Sequence, residues 1–99
     1  MIKHIVLFKL TPFNTEEGKK LKLNEIKTAL LGLKDKIDCL LTIEVGFNAN
    51  PSEIYDLALT TTFKSMNDLN IYAKHPDHLE VAKLIGAVKA ERACVDFEY

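Results

Sequence analysis

The feature that most constrains this chain is the segment 2–10, because both of its alternating sets of side chains are largely apolar in the middle. One set is Ile2, His4, Val6, Phe8 and Leu10, and the other is Lys3, Ile5, Leu7 and Lys9. Successive side chains of a strand point to opposite faces of a sheet, and a strand that is apolar on both faces is covered on both. The segment is therefore predicted to be a central strand.

The rest of the chain predicts the order helix, strand, strand, broken helix, strand. Asn14 or Thr15 is a candidate N-cap for a helix whose apolar positions recur at three- and four-residue steps. These positions are Leu23, Ile26, Leu30, Leu33 and Ile37. Residues 39–47 and 54–64 return to period two on either side of a turn cluster at 48–52, which predicts a hairpin. A last strand is expected over residues 91–99.

The sequence predicts a break in the second helical region, which begins near Ser65. Ser65 and Asp68 resemble a capping box that opens a short helix. Pro76 disfavours helical geometry at His75 but suits the first turn of a new helix. We therefore predict one helix that ends near His75 and a second that begins at Pro76.

This order of elements predicts an α+β fold of the ferredoxin-like βαββαβ type, with a four-stranded antiparallel sheet and all helices on one face. The other face carries Ile5 and Leu7, and a monomer rarely leaves such a patch in water. A second copy of the chain is the simplest cover. Two sheets that pack face to face around a two-fold axis make a homodimer of the dimeric α+β barrel kind.

Length, charge and cysteine content narrow the function classes. The 99 residues predict one domain, 1–99, and the 13 basic and 14 acidic residues leave no positive field for nucleic acid. No apolar run reaches the roughly 18 residues that span a bilayer. Cys39 and Cys94 fall in the two predicted edge strands, so free thiols are predicted. We expect a soluble cytoplasmic protein without nucleic-acid or membrane partners.

Three stretches of the chain resemble the stress-responsive dimeric α/β-barrel (Dabb) family. They are Lys3-His4-Ile5-Val6-Leu7-Phe8 at the start, His75-Pro76-Asp77-His78 in the middle and Val95-Asp96-Phe97-Glu98-Tyr99 at the end. The resemblance spans nearly the whole chain. It implies a homodimer with a pocket between sheet and helices in each subunit, and it does not imply one activity.

The family includes plant stress proteins without a settled reaction and a polyketide cyclase that closes a ring by intramolecular aldol condensation. By resemblance to the cyclase, His78 matches the general base, Tyr72 the tyrosine beside it, and His4 a histidine that lines the pocket. The cyclase has a further pocket histidine on the third strand, where this chain has Leu57. The resemblance therefore does not extend to the cyclase's own substrate.

The residues themselves give an independent argument for the same site. His78 would lie in the first turn after Pro76, where the positive end of the helix dipole keeps an imidazole neutral and able to accept a proton. Tyr72 can donate its hydroxyl to a ligand carbonyl, and His4 shares the helix-facing side of its strand with apolar neighbours. The residues expected to contact a ligand are His4, Val6, Phe8, Leu23, Ile26 and His75, and the predicted catalytic pair is His78 and Tyr72.

Structural explanations of the same residues stay open at this stage. A histidine just before a proline-started helix is typical of a cap, which fits His75, and His4 on an apolar strand is typical of a hydrogen-bonded core residue. His75 and His78 stand three apart, whereas the usual zinc helix motif spaces its histidines four apart around a glutamate. A metal is therefore not expected. The four glycines are scattered singly and form no phosphate loop, so a nucleotide cofactor is not expected either.

Three functions remain after these exclusions, and the sequence does not decide whether the protein is an enzyme. The first is binding of a small apolar carbonyl or phenolic ligand, with cyclase-like acid–base chemistry as a lyase or isomerase. The second is a non-catalytic dimeric stress or ligand-binding protein. The third, which rests on fold analogy alone, is an oxygenase-like dimeric barrel.

Overall fold

The computed structural model describes residues 1–99, and it has the predicted order of elements. The elements are β1 (Ile2–Leu10), α1 (Glu16–Leu31), a 3-10 turn (Gly32–Asp35), β2 (Thr42–Phe47), β3 (Leu57–Phe63), α2 (Met66–Lys74), α3 (Pro76–Gly86) and β4 (Lys89–Glu98). The four strands form one antiparallel sheet in the order β2-β3-β1-β4. The predicted ferredoxin-like fold is confirmed, and β1 is an inner strand as predicted. None of the helices has the length and apolar character that crossing a membrane requires.

Side-chain caps start each of the three helices. Thr15 Oγ1 accepts a hydrogen bond from the Gly18 N–H (3.0 Å), and Ser65 Oγ accepts one from the Asp68 N–H (3.2 Å). His75 Nδ1 accepts from the Asp77 N–H (3.1 Å), so one residue ends α2 and caps α3. The capping predicted for His75 is confirmed.

The hairpin strands are shorter than predicted. β2 begins at Thr42 and not at residue 39, because Ile37 and Leu40 both turn into the core around a tight turn that the Leu40 N–H closes on the Ile37 carbonyl (3.2 Å). Ile37 and Leu40 are three residues apart, whereas a strand places same-face residues two apart, so the strand pattern does not extend to them.

β3 begins at Leu57 because Asp56 leaves the regular ladder. The Asp56 N–H donates to the Phe8 carbonyl (2.8 Å), and its carboxylate accepts from the Leu10 N–H (2.7 Å). At the other end of the chain, β4 begins at Lys89, two residues earlier than predicted, because its pairing with β1 continues past a register shift at Lys9/Leu10.

The two faces of the sheet differ as the alternation in β1 predicts. On the helix side β1 and β3 bury a core together with α1, formed by Ile2, Val6, Phe8, Leu10, Leu57, Leu59, Phe63, Leu23, Ile26 and Leu30 among others. On the opposite side Ile5 and Leu7 are half-buried, and Val95 and Phe97 are 54% and 40% exposed. The isolated chain therefore has an uncovered apolar sheet face.

The helix layer does not extend over β4, and this opening positions the site. Arg92, Cys94 and Asp96 lie on the helix side of β4, where they pair in register with Phe8, Val6 and His4. All three β4 residues are nevertheless exposed. A side chain on the helix side of β4 can therefore contact both the core and water.

Candidate functional site

A cavity of about 110 Å³ lies between β1, α3 and the uncovered side of β4. Its wall consists of His4, Val6, Phe8, Leu30, Leu59, His78, Val81, Ala82, Ile85, Lys89 and Arg92. Leu30 and Leu59 are buried, whereas Lys89 and Arg92 are exposed. The cavity therefore has an apolar inner end and a charged end that meets water.

His78 is brought to this cavity by the helix break. It is the third residue of α3, which begins at Pro76, so its position depends on where the proline starts the helix. Its Nδ1 atom is buried and makes no hydrogen bond of ordinary geometry, although the Ala73 carbonyl lies near the imidazole. Its ring packs on the ring of Tyr72, with 4.5 Å between the ring centroids.

Tyr72 is the second buried side chain with an unpartnered polar atom. It is only 1% exposed, its ring also contacts Phe63, and its hydroxyl has no hydrogen-bond partner. A buried polar group left without a partner costs about 1–3 kcal/mol, so native proteins rarely keep one without a reason. Here two such groups belong to side chains in direct contact, beside a cavity.

The protonation states of the two groups are complementary. Burial lowers the pKa of His78, the Ala73 carbonyl only partly opposes this, and the positive charge of Arg92 adds to the lowering. Burial raises the pKa of Tyr72 to about 12. At neutral pH the imidazole is therefore unprotonated and can accept a proton, while the phenol keeps its proton and can donate a hydrogen bond.

His4 is fixed by a neighbour on β4. Its Nδ1 atom hydrogen-bonds to the carboxylate of Asp96. Because an ionised carboxylate only accepts, Nδ1 carries the proton and donates it, and Nε2 is the ring nitrogen left for a ligand. His4 is thus both a hydrogen-bonded core residue and part of the cavity wall.

The side chains that could hold a metal ion do not include His75 and His78, the two histidines that stand close together in the sequence. His75 Nδ1 is used as a helix cap, whereas one atom each of His4, Cys94 and Asp96 lie within 4.8 Å of one another. Nitrogen, sulfur and carboxylate oxygen are ligands that zinc accepts. The Nδ1 proton of His4, however, is donated to Asp96. Burial and the charge of Asp96 raise the pKa of Cys94, which keeps the thiol protonated.

The structure brings half of the sequence-predicted site residues to one cavity. His4, Val6, Phe8 and His78 lie in its wall, and their role in binding a ligand stays a prediction. Tyr72 is not part of the wall, because its ring packs behind His78. The cavity is also smaller than the roughly 300 Å³ at which ordinary ligand pockets begin.

Three other expected residues lie elsewhere. Leu23 borders an open groove with Lys19 and Asn48, and Ile26 is fully buried in the core. The helix α1 reaches the cavity one turn later than Ile26, through Leu30. His75 faces its own helix terminus and not the cavity.

β4 contributes residues to the site that were not predicted from the sequence. Asp96, Arg92 and Lys89 come from this strand, and the first two share one side of it with Cys94. Their alternation is visible in the sequence. What the sequence does not give is the pairing of His4 with Asp96, which depends on the register between the two ends of the chain.

The fold and the cavity define a small ferredoxin-like α+β protein with an uncovered sheet face. The chain belongs to the stress responsive A/B barrel domain (Dabb) family, whose sequence profile matches residues 2–99. A stress-response A/B barrel domain-containing protein of Arabidopsis thaliana is 27% identical over 103 residues, which cover 98% of this chain and 46% of that protein. The chain thus spans about half the length of the curated relative it matches.

Solved structures share this fold. A dimeric protein of unknown function with a ferredoxin-like fold from Bacteroides fragilis has a TM-score of 0.93 and 42% identity, covering 99% of this chain and 95% of that one. A hydroxynitrile lyase from Passiflora edulis has a TM-score of 0.81 at 17% identity, covering 97% of this chain and 90% of that one. The second likeness shows the fold alone.

Proposed function

We propose that the protein binds a small, largely apolar molecule with a carbonyl or phenol oxygen in the cavity between the sheet and α3, and that His78 transfers a proton on it. One observation carries this proposal. His78 Nδ1 and the Tyr72 hydroxyl are buried without partners, in two contacting side chains at a cavity. A bound polar atom would satisfy groups that the free protein leaves unpaired.

The chemistry follows from the protonation states of the two groups. A neutral His78 accepts a proton from the carbon next to a ligand carbonyl. The electron pair of that C–H bond forms a double bond to the carbonyl carbon, and the π pair of the carbonyl moves to its oxygen. The oxygen becomes an enolate, which hydrogen-bond donors stabilise. The protonated Tyr72 hydroxyl, which lies against the His78 ring, is the nearby donor for this role. His4 Nε2 can only accept a hydrogen bond from the ligand, because the His4 proton is on Nδ1. The cavity volume of about 110 Å³ limits the ligand to about one small ring.

Proton exchange tests the proposal without knowledge of the natural substrate. Cyclopentanone in D₂O exchanges its α-protons slowly, and proton NMR follows the loss of signal. We expect the protein to accelerate this exchange and His78→Asn to reduce the acceleration by about a hundredfold or more. His75→Asn is the matched control, because asparagine can still cap α3, and it should leave the rate unchanged. Equal rates with wild type and His78→Asn would remove the catalytic part of the proposal.

A non-catalytic ligand-binding protein is the second candidate, and one observation favours it. Tyr72 does not line the cavity, so in the free protein its hydroxyl has no direct path to a ligand carbonyl. This candidate predicts that cyclopentanone perturbs the NMR signals of His78 while its α-protons exchange at the uncatalysed rate.

We propose further that the working unit is a homodimer in which a second copy covers the free sheet face. The apolar residues exposed on that face, among them Val95 and Phe97, support this proposal, because a monomer rarely leaves a large apolar patch in water. The Bacteroides fragilis neighbour is described as dimeric. Burial of this face would also enlarge the hydrophobic interior of a 99-residue chain.

We place the protein in the cytoplasm as part of the same proposal. Cys39 and Cys94 are both free, and they lie near β2 and in β4, the two opposite edges of the sheet. Unpaired cysteines are typical of reducing compartments.

A further inference from the structure

We propose that the ligand is an acid, namely a small monocarboxylate whose apolar body fills the inner end of the cavity and whose carboxylate lies at the Arg92 and Lys89 end. This inference rests on the proposed function, since it names the chemical class that the same cavity would take. It adds a requirement that the site geometry alone did not impose, which is a negative charge on the ligand.

The permanent charges of the cavity wall, on Lys89 and Arg92, are both positive. His4, His78, Lys89 and Arg92 belong to the wall, and no aspartate or glutamate does. The remaining seven wall residues are hydrophobic. An apolar pocket that ends in basic groups matches a molecule with an apolar body and an anionic end.

Arg92 and Lys89 are free to serve a ligand. Other lysines are paired with acids, as in Lys9 with Glu91 (3.3 Å) and Lys19 with Asp56 (2.7 Å). Neither Arg92 nor Lys89 has a carboxylate within 4.0 Å. A guanidinium without a carboxylate partner can bind a planar carboxylate through two parallel hydrogen bonds.

The one acid near the cavity does not cancel this charge. Asp96 is hydrogen-bonded to His4 Nδ1 and is not part of the wall, whereas Arg92 and Lys89 are. The positive charge of Arg92 also acts on His78, whose pKa is lowered mainly by burial and further by Arg92, against the opposing effect of the Ala73 carbonyl. The place that a ligand oxygen would occupy is therefore electropositive.

A carboxylate suits this cavity better than a phosphate. The apolar lining disfavours a dianion, which costs more to desolvate than a single charge. Leu30, Leu59 and Val81 lie toward the buried end, which leaves the exposed end to the charged group. Benzoate and isobutyrate are probes of about the right size for a cavity of this volume.

Matched pairs of probes separate charge from shape. Calorimetry compares benzoate with benzamide, and isobutyrate with isobutyramide, each pair being nearly identical in size. We expect the acid to bind about tenfold or more tightly than its amide. Arg92→Gln should reduce this ratio to about threefold or less without weakening the amide. Lys83→Gln removes the same charge from the exposed side of α3 and should leave the ratio unchanged.

An independent readout is the NMR titration of the His78 imidazole. Bound benzoate should raise its pKa, because a nearby negative charge favours the protonated form, and bound benzamide should not. If amides bind as tightly as acids and shift the His78 signals, the acid inference is wrong and the proposed function stands. If neither acids nor neutral carbonyl compounds affect His78, both are wrong.

Discussion

The substitution Tyr72→Phe tests whether the site is incomplete in the free protein. It removes the buried hydroxyl that has no partner and leaves the ring, with its contacts to Phe63 and His78, in place. An unsatisfied buried hydroxyl costs about 1–3 kcal/mol, and some of this is recovered when it is removed. We expect the free energy of unfolding to rise by about 1 kcal/mol.

Urea or thermal unfolding measures this change directly. For a domain of this size, about 1 kcal/mol corresponds to about 4–8 °C in the melting temperature. Protein concentration must be held constant, since dimer formation contributes to the apparent stability. Tyr55→Phe is the matched control: this half-buried tyrosine is not among the side chains with a buried, unpartnered atom, and its variant should melt with the wild type.

The opposite result would refute the reasoning. If the free energy of unfolding falls by about 1 kcal/mol or more in Tyr72→Phe and is unchanged in Tyr55→Phe, the Tyr72 hydroxyl has a stabilising partner in the free protein. The two neighbouring buried atoms would then not mark a place for a ligand.

Three further predictions concern the helix break, the sheet face and pH. His75→Ala should destabilise the protein by about 1 kcal/mol in urea unfolding through loss of the α3 cap, whereas His75→Asn retains most of the stability. Val95→Glu should give monomers in light scattering, whereas Leu79→Glu, at an equally exposed (54%) position on α3, should leave the dimer intact. Because the pKa of His78 is lowered in the folded state, the unfolded chain binds the proton more readily, so stability is full above about pH 6.5 and falls on acidification toward the folded-state pKa. His78→Gln should flatten this part of the stability curve; an unchanged slope would contradict the assignment.

The fold could be predicted because its signals are local. The double alternation of residues 2–10 identified the inner strand, and the proline after His75 identified both the helix break and the cap. The predicted starts of the two hairpin strands lie too early in the chain, because Leu40 and Asp56 make tertiary contacts that end the strand pattern.

The site could be predicted only in part, since it depends on where distant segments meet. The alternation in β1 placed His4 on the side of Val6 and Phe8, and the helix start placed His78. That Asp96 would pair with His4, and that Arg92 would close the cavity, depends on the register of β1 against β4. Which turn of α1 reaches the cavity depends on how the helix crosses the sheet, so Leu30 takes the place expected for Ile26.

The three histidines provide the most direct test of the account, because two belong to the cavity and one does not. Nitrogen NMR of the imidazoles during titration with benzoate, and separately with cyclopentanone, reports on all three at once. The account predicts saturable changes at His4 and His78 with at least one of the two probes, and an unchanged His75. Constant His4 and His78 signals with both probes, or changes of equal size at His75, would contradict it.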